Sequence, residues 1–244
     1  MKTLYLECKM GAAGDMLMSA LYELLPDQAS FLHIMNHLHE GISVSMEKKD
    51  TCGIRGTHAV VDIGGEVENA EDLPCGCLHR HTELHVHAQE KAPTAAHNHI
   101  HEQDHDHPHD HAQDHDHPHD HESHPHHHTT PADIRRILDH LPVPEEVRTH
   151  ARAVYDRIAQ AESKAHGVPM EHIHFHEVGS LDAVIDVTGV CLAMHLLHPD
   201  QVIVSPIHLG SGQVRCAHGI MPVPAPATAN LLIGLPCYCG EING

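Results

Sequence analysis

This 244-residue chain carries 34 Asp and Glu and 33 His against 14 Lys and Arg, a formal charge of −20 with histidine neutral. It has no basic stripe for a phosphate backbone, which excludes nucleic acid as a partner, and because histidine titrates near pH 6.5, mild acid cancels much of the negative charge. No run reaches the roughly eighteen apolar residues of a membrane helix, and the start, Met1-Lys-Thr-Leu-Tyr-Leu-Glu, has no apolar leader core; a soluble, cytoplasmic protein without a membrane partner is expected, its eight cysteines reduced.

Residues 3–8 alternate like a strand and run into Gly11-Ala-Ala-Gly14-Asp15. Met16, Leu17, Ala20, Leu21, Leu24 and Leu25 then recur at helical spacing, giving a strand, glycine turn, helix unit. Such a turn either cradles a phosphate on the helix N-terminus or is only a turn; Asp15 suits a Mg²⁺ or substrate-hydroxyl contact. A second helix is predicted over 29–38, stopping near Gly41, and strands over 42–47 and 57–63 form a hairpin around a turn at 50–53.

Residues 64–130 show no packed element, which divides the chain into an N-terminal block (1–68), an insert (69–130) and a C-terminal block (131–244). The insert opens with Cys75-Gly-Cys77-Leu-His79-Arg-His81, with His85 and His87 behind it. Thiolate and imidazole at this spacing suit Zn or Ni, and without the separated halves of a zinc finger the cluster reads as a flexible capture site. Between 97 and 128 a ten-residue repeat, Gln103-Asp-His-Asp-His-Pro-His-Asp-His-Ala112 and then Gln113-Asp-His-Asp-His-Pro-His-Asp-His-Glu122, lines up His105, His107, His109, His111, His115, His117, His119 and His121. Imidazoles interleaved with carboxylates point to metal binding, and the internal position argues against an expression tag. A tract so poor in hydrophobes cannot offset its ordering entropy, so a disordered segment is expected without metal; a solvated linker is the alternative.

The C-terminal block begins with a short helix over 131–141, Pro131 in its first turn. Residues 145–166 form the clearest amphipathic helix, with Val147, Ala151, Val154, Ile158 and Ala161 on one side and Gly167 closing it. A strand is predicted over 173–178: in His172-Ile-His174-Phe-His176-Glu177 the imidazoles share one face, about 7 Å apart and able to share an ion. Glu177, Asp182 and Asp186 follow, the last two one turn apart on a helix over 181–197. They either complete a metal shell, hold ligand histidines, or cap the helix. After a strand at 201–204, Ser205-Pro-Ile-His208-Leu-Gly210-Ser-Gly212 and Arg215-Cys-Ala-His218-Gly219 read as site-lining loops. A last helix runs up to Gly234, Cys237-Tyr-Cys239 reads as buried or strand-edge cysteine, and a further strand begins as the chain ends. The class is α/β (mixed α+β), a small mixed sheet with packed helices interrupted by the insert.

Three segments carry a family resemblance: Gly11-Ala-Ala-Gly-Asp-Met16 after the first strand, His174-Phe-His-Glu-Val-Gly179 with Asp182 and Asp186, and Cys216-Ala-His-Gly-Ile-Met-Pro-Val-Pro-Ala-Pro-Ala227. They resemble the LarC-type nickel insertion proteins, and the resemblance covers nearly the whole chain outside the histidine tract; the second and third motifs are long and specific. It implies insertion of nickel into pyridinium-3,5-bisthiocarboxylic acid mononucleotide, with Ni–S and Ni–C bonds, by a chelatase-type lyase that makes the nickel-pincer nucleotide of lactate racemase using CTP with Mn²⁺ or Mg²⁺. Two departures stand out: Ala12-Ala13 replaces the family's Ile-Ser, and the chain ends at Gly240-Glu-Ile-Asn-Gly244 where the family continues into a C-terminal domain implicated in CTP binding. The resemblance therefore implies the nickel-handling N-terminal half, with the C-terminal half, the mononucleotide and the lactate racemase apoenzyme as partners.

On this reading nickel is held by His172, His174, His176 and Asp186, and is gathered by Cys75, Cys77, His79, His81 and the repeat histidines. Glu177, Asp182 and His208 are candidate catalytic residues, Glu177 or His208 accepting the proton that the ring carbon loses. Gly11, Gly14, Asp15 and His218 are candidate cofactor contacts. The alternative is a nickel or zinc store or metallochaperone without chemistry of its own; a metal-dependent hydrolase, suggested only by His-x-His, lacks a dispersed ligand set.

Overall fold

The computed structural model describes residues 1–51, 53–67, 129–216 and 218–243, which belong to one compact unit. A short strand, β1 (Thr3–Leu6), leads through the glycine turn to α1 (Gly14–Leu24) and α2 (Gln28–Met35). The face α1 buries is Met18, Ser19 and Leu21, with Leu25 just beyond; Met16, Ala20 and Leu24, expected inside, are exposed. Ser19 belongs to the core face because its hydroxyl accepts the amide of Ala59 at 2.9 Å, a polar anchor that an apolar periodicity does not register. The start of α2 is capped by Asp27, whose carboxylate accepts the Ser30 amide at 3.0 Å, and the helix buries Phe31 and Met35.

The hairpin comprises β2 (Ile42–Thr51) and β3 (Ile54–Ile63), with Gly53 at φ 79° in its turn, and β4 (Glu66–Val67) extends the sheet from β3. It is longer than expected because its distal half, with Lys48, Lys49, Asp50 and Arg55, lies exposed and shows no apolar alternation. The two-residue β4 corrects the reading that nothing after Gly64 pairs.

Helix α3 (Pro131–His140) is started by a capping box in which Thr130 and Asp133 each bind the other's backbone amide. Helix α4 (Glu145–His166) stops at Gly167, in the left-handed region at φ 67°. Its buried line is Val147, Ala151, Tyr155 and Ala159, plus Ala161; Val154, expected inside, is 36% exposed. The inner face thus follows a strict four-residue step that passes through a tyrosine.

Helix α5 (Leu181–Leu197) is the axis of the core. Ser180 caps it, accepting the Ala183 amide at 3.1 Å, and Val184, Ile185, Thr188, Gly189, Cys191, Leu192 and Ala193 are buried around most of its circumference. A helix apolar on nearly all sides must be surrounded, and α1, α2, α4 and β3 all pack on it. Gly189 allows the close approach of α1: a Cβ there would lie 2.3 Å from the Met18 sulfur.

The chain continues through β5 (Gln201–Val204), β6 (Ile207–Ser211), β7 (Gln213–Cys216), β8 (Gly219–Pro222), α6 (Pro226–Leu231) and β9 (Cys237–Asn243). Strand β5 pairs in parallel with β1, tying the start of the chain to the segment after α5; β6 pairs in parallel with β9, and β7 with β8 antiparallel. The class is mixed α/β, the strands of the described residues divided over four small sheets rather than gathered in one. The segments read as loops across 205–219 are therefore β6 and the β7–β8 hairpin. Their strands are four or five residues long, too short for a period of two to register.

Candidate functional site

The His172–Glu177 segment is not the strand expected over 173–178. A 3-10 turn at Met170–His172 precedes it and another at Glu177–Gly179 ends it; between them one bridge forms among the described residues, Phe175 donating its amide to the Thr129 carbonyl at 2.8 Å. His176, at φ −96° and ψ −105°, has left the β region, and the Gly179 amide returns to its carbonyl. Gly179 is required by space: a Cβ would stand 2.7 Å from the Phe175 Cβ and 3.0 Å from the Thr129 Cβ. The alternation itself survives, with Ile173 and Phe175 buried, His172 and His174 exposed and His176 half-buried.

Tyr155 fixes this turn from beneath. Its ring meets Phe175 edge-on at 5.9 Å and its hydroxyl donates to the Val178 carbonyl at 3.1 Å. Burial, and then the charges of Asp186 and Asp182, push the phenol pKa well above the ordinary tyrosine value, so the hydroxyl is a permanent donor. Sequence reasoning passed over Tyr155; its place on the four-residue line of α4 was the available signal.

Asp186, in the second turn of α5, packs on the first motif. A Cβ on Gly14 would be 2.8 Å from Asp186 Oδ2, so glycine is what admits this carboxylate at the N-terminus of α1. Ala13, the N-cap, supplies no side-chain cap, and an anion at that end is favoured by the helix dipole. Gly11 has a different reason to be glycine: its φ is 85° and the space beside it is open. Asp15 is half-buried in the first turn. Asp182, in the first turn of α5, bears on the Tyr155 hydroxyl through its charge.

His218, in the turn between β7 and β8, joins a cluster of imidazoles. Its ring centroid is 4.6 Å from that of His176, edge to face, and 4.9 Å from that of His166 at the end of α4. The second and third sequence motifs therefore touch through His176 and His218. His208, in β6, donates its amide to the Cys8 carbonyl (2.9 Å), and its ring lies edge-on to Tyr238 of β9 at 5.1 Å. Gly240 makes room for that ring: a Cβ there would be 2.2 Å from Nε2.

Among the described residues no three His, Cys, Asp or Glu side chains already form a group able to hold one metal ion. Five described cysteines, Cys8, Cys191, Cys216, Cys237 and Cys239, are free thiols. Burial pushes the Cys191 thiol up to about 11, which makes it a packing group rather than a ligand, while Cys237 and Cys239 are exposed along β9. The candidates Cys75, Cys77, His79, His81, His105, His107, His109, His111, His115, His117, His119 and His121 lie outside the described residues. No helix of the described residues is long and apolar enough to cross a membrane.

The family model described as nickel insertion protein matches residues 4–244. The "Pyridinium-3,5-bisthiocarboxylic acid mononucleotide nickel insertion protein" of Desulfitobacterium hafniense is 32% identical over 244 residues, covering 100% of this chain and 46% of the relative. Its namesake in Geobacillus kaustophilus is 32% identical over 243 residues, 99% of this chain and 47% of the relative. A "Putative nickel insertion protein" of Syntrophotalea carbinolica is 44% identical over 111 residues, 46% of this chain and 28% of the relative. No solved structure matches. The chain spans about half the length of the full-length relatives it matches. With the family model covering all but the first three residues, the chain belongs to the nickel insertion protein family.

Proposed function

We propose that this chain handles nickel in the reaction named for its relatives, insertion of nickel into pyridinium-3,5-bisthiocarboxylic acid mononucleotide. The carrying observation is that the second motif touches both of the others: its Asp186 packs against Gly14 of the first, and its His176 against His218 of the third. Residues far apart in sequence are held in contact by the fold, as a shared site requires.

Nickel here is cargo. Imidazole and carboxylate suit a divalent late transition ion, and His174 and His176, with His172 and Asp186 nearby in sequence, are its proposed holders. Insertion places the ion on the two thiocarboxylate sulfurs and the ring carbon between them: the C–H bond breaks, its electron pair forms the Ni–C bond, and the proton needs an acceptor. Glu177 or His208 fills that role, and Asp182 holds the approach to the 177–179 turn. Gly11, Gly14, Asp15 and His218 are the proposed contacts to the mononucleotide. CTP with Mn²⁺ or Mg²⁺ acts through the half of the relatives that this chain does not span, and the product is the nickel-pincer nucleotide taken up by lactate racemase in the cytoplasm. The segments outside the described residues gather the ion. In this division of labour the chain is the nickel-binding half of a lyase.

The test is reconstitution: the chain with Ni²⁺, the mononucleotide, CTP and Mn²⁺, with and without the remaining half of the Desulfitobacterium hafniense relative as a separate polypeptide, read by the mass of the nickel product. Product formed with the second half present is the expected result. If several nickel ions bind but none is transferred, while the intact relative transfers, a store or metallochaperone is the correct reading.

A further inference from the structure

The imidazole cluster contains a residue that neither the motifs nor the reaction chemistry singled out. The ring of His166, the last residue of α4, lies tilted against His218, which in turn meets His176 edge to face. Three rings from three separate elements are thus gathered: a helix end, the segment before the 177–179 turn, and a hairpin turn. Metal–nitrogen bonds of about 2.1 Å put the centroids of two imidazoles sharing an ion about 4.5–5 Å apart at neighbouring coordination positions. The observed separations, 4.6 and 4.9 Å, lie in that range.

The surroundings favour a cation over an anion. Glu162, one turn earlier on α4, holds its carboxylate 3.5 Å from His166 Nε2. A carboxylate beside one ring nitrogen is placed to close onto it as an ion takes the other nitrogen, the arrangement found around metal-ligating histidines. An incoming phosphate would meet that same carboxylate as a like charge. The His166 and Glu162 side chains are 36% and 22% exposed, and His218 sits on an exposed turn, so an ion reaches the cluster from solvent.

We infer that His166, His176 and His218, with Glu162 orienting His166, form a docking site for a divalent late transition metal ion, through which nickel enters on its way to the thiocarboxylates. The ion draws the three rings into one coordination sphere from the open arrangement of the structure. This rests on the nickel-handling reading; it assigns His166 and Glu162 functions that the reading does not contain, and it takes His218 as a nickel ligand in place of the mononucleotide contact proposed above.

The experiment uses the full chain with the histidines between 97 and 128 replaced by glutamine, so that the tract does not compete. Ni²⁺ is added below one equivalent and the imidazole Hε1 signals are followed by NMR. Broadening of His166, His176 and His218 together is expected. In a chelator competition, Glu162→Gln weakens Ni²⁺ binding by about tenfold, as loss of a ligand-orienting carboxylate does, and His166→Gln or His218→Gln weakens it further. Sharp signals from these three rings while other histidines broaden would overturn the site, as would unchanged affinity in all three variants with unchanged circular dichroism. The NMR result on unsubstituted His166 and His218 decides even if a variant misfolds. Nickel bound at the three rings with no transfer to the mononucleotide rejects the insertion reading alone; transfer with affinity unaffected by the substitutions rejects this site alone.

Discussion

Replacing Gly14 by alanine probes the contact that joins the first motif to α5. The added methyl would lie 2.8 Å from Asp186 Oδ2, 3.0 Å from its Cβ and 3.2 Å from its Cγ, where unstrained carbon contacts sit at about 3.5–4.0 Å. Turning the carboxylate relieves only part of this, because the Cγ it hangs from and the Cβ are both held on α5, so the rest requires α1 and α5 to part by several tenths of an ångström. Overpacking of this kind costs about 1–3 kcal/mol. Against it stands the helix preference for alanine over glycine, at most about 1 kcal/mol and smaller at the first helical residue, where the backbone is only partly committed. The net expectation is a loss of about 1–2 kcal/mol, the overpacking range less that offset. Urea denaturation of the full chain followed by far-UV circular dichroism measures it. Asp186→Ala in the same background removes the oxygens and the Cγ but leaves the Cβ, so the double-mutant cycle should return a coupling of about 1 kcal/mol. A Gly14→Ala protein as stable as the parent, or an effect additive with Asp186→Ala, would refute the packing argument.

Three further outcomes follow from the same geometry. Tyr155→Phe leaves the Val178 carbonyl without its donor and should cost about 1–2 kcal/mol in urea denaturation, with faster hydrogen exchange at the Gly179 and Ser180 amides; unchanged exchange there would mean that Tyr155 does not hold the turn. The Asp133 carboxyl is held below the usual carboxylate range by the Thr130 hydroxyl and then its amide, so its contribution is complete above the unfolded value near 4 and is lost as pH falls through the lower folded value. The stability advantage of the parent over Asp133→Asn should therefore be present at pH 6 and shrink at the acid end, and a pH-independent difference would contradict the assignment. Deleting residues 97–128 should lower the number of nickel ions bound and raise the nickel concentration needed for transfer without abolishing it; complete loss would reverse the proposed division between gathering and directing the ion.

The elements most legible in the sequence are those whose environment is uniform along their length. Helix α5 is apolar on nearly every side, and α4 is bounded by Glu145 and by a glycine in the left-handed region, so each is delimited by composition and caps alone. Legibility failed where one residue answers to a long-range partner. Ser19 is inside because of Ala59, forty residues away, and that single bond accompanies an inner face of α1 rotated from the one its leucines suggest. Among the described residues, 173–176 carry a strand's alternation with a single bridge, to Thr129, and at Gly179 the chain turns back. Side-chain alternation reports which residues face the core, and it does so whether or not a neighbouring strand exists.

The candidate site was visible as residue types but not as pairings. His176, His218, Gly14 and Asp186 each stood out, yet nothing in the spacing says that the first two meet each other and the last two meet each other. Both pairings are made by elements whose positions α5 and its flanks determine: α1 lies on α5 through Gly189, and the 177–179 turn is held on α4 by Tyr155. His166 was hidden for a related reason. At the end of an amphipathic helix, beside its closing glycine, it looks like a cation that complements the helix dipole, and its neighbours His218 and His176 arrive from elements with no fixed register to α4 in sequence. A site assembled from a helix end, a turn and a hairpin can be read only after the packing that gathers them is known, whereas the metal preference of its imidazoles is readable from the first pass.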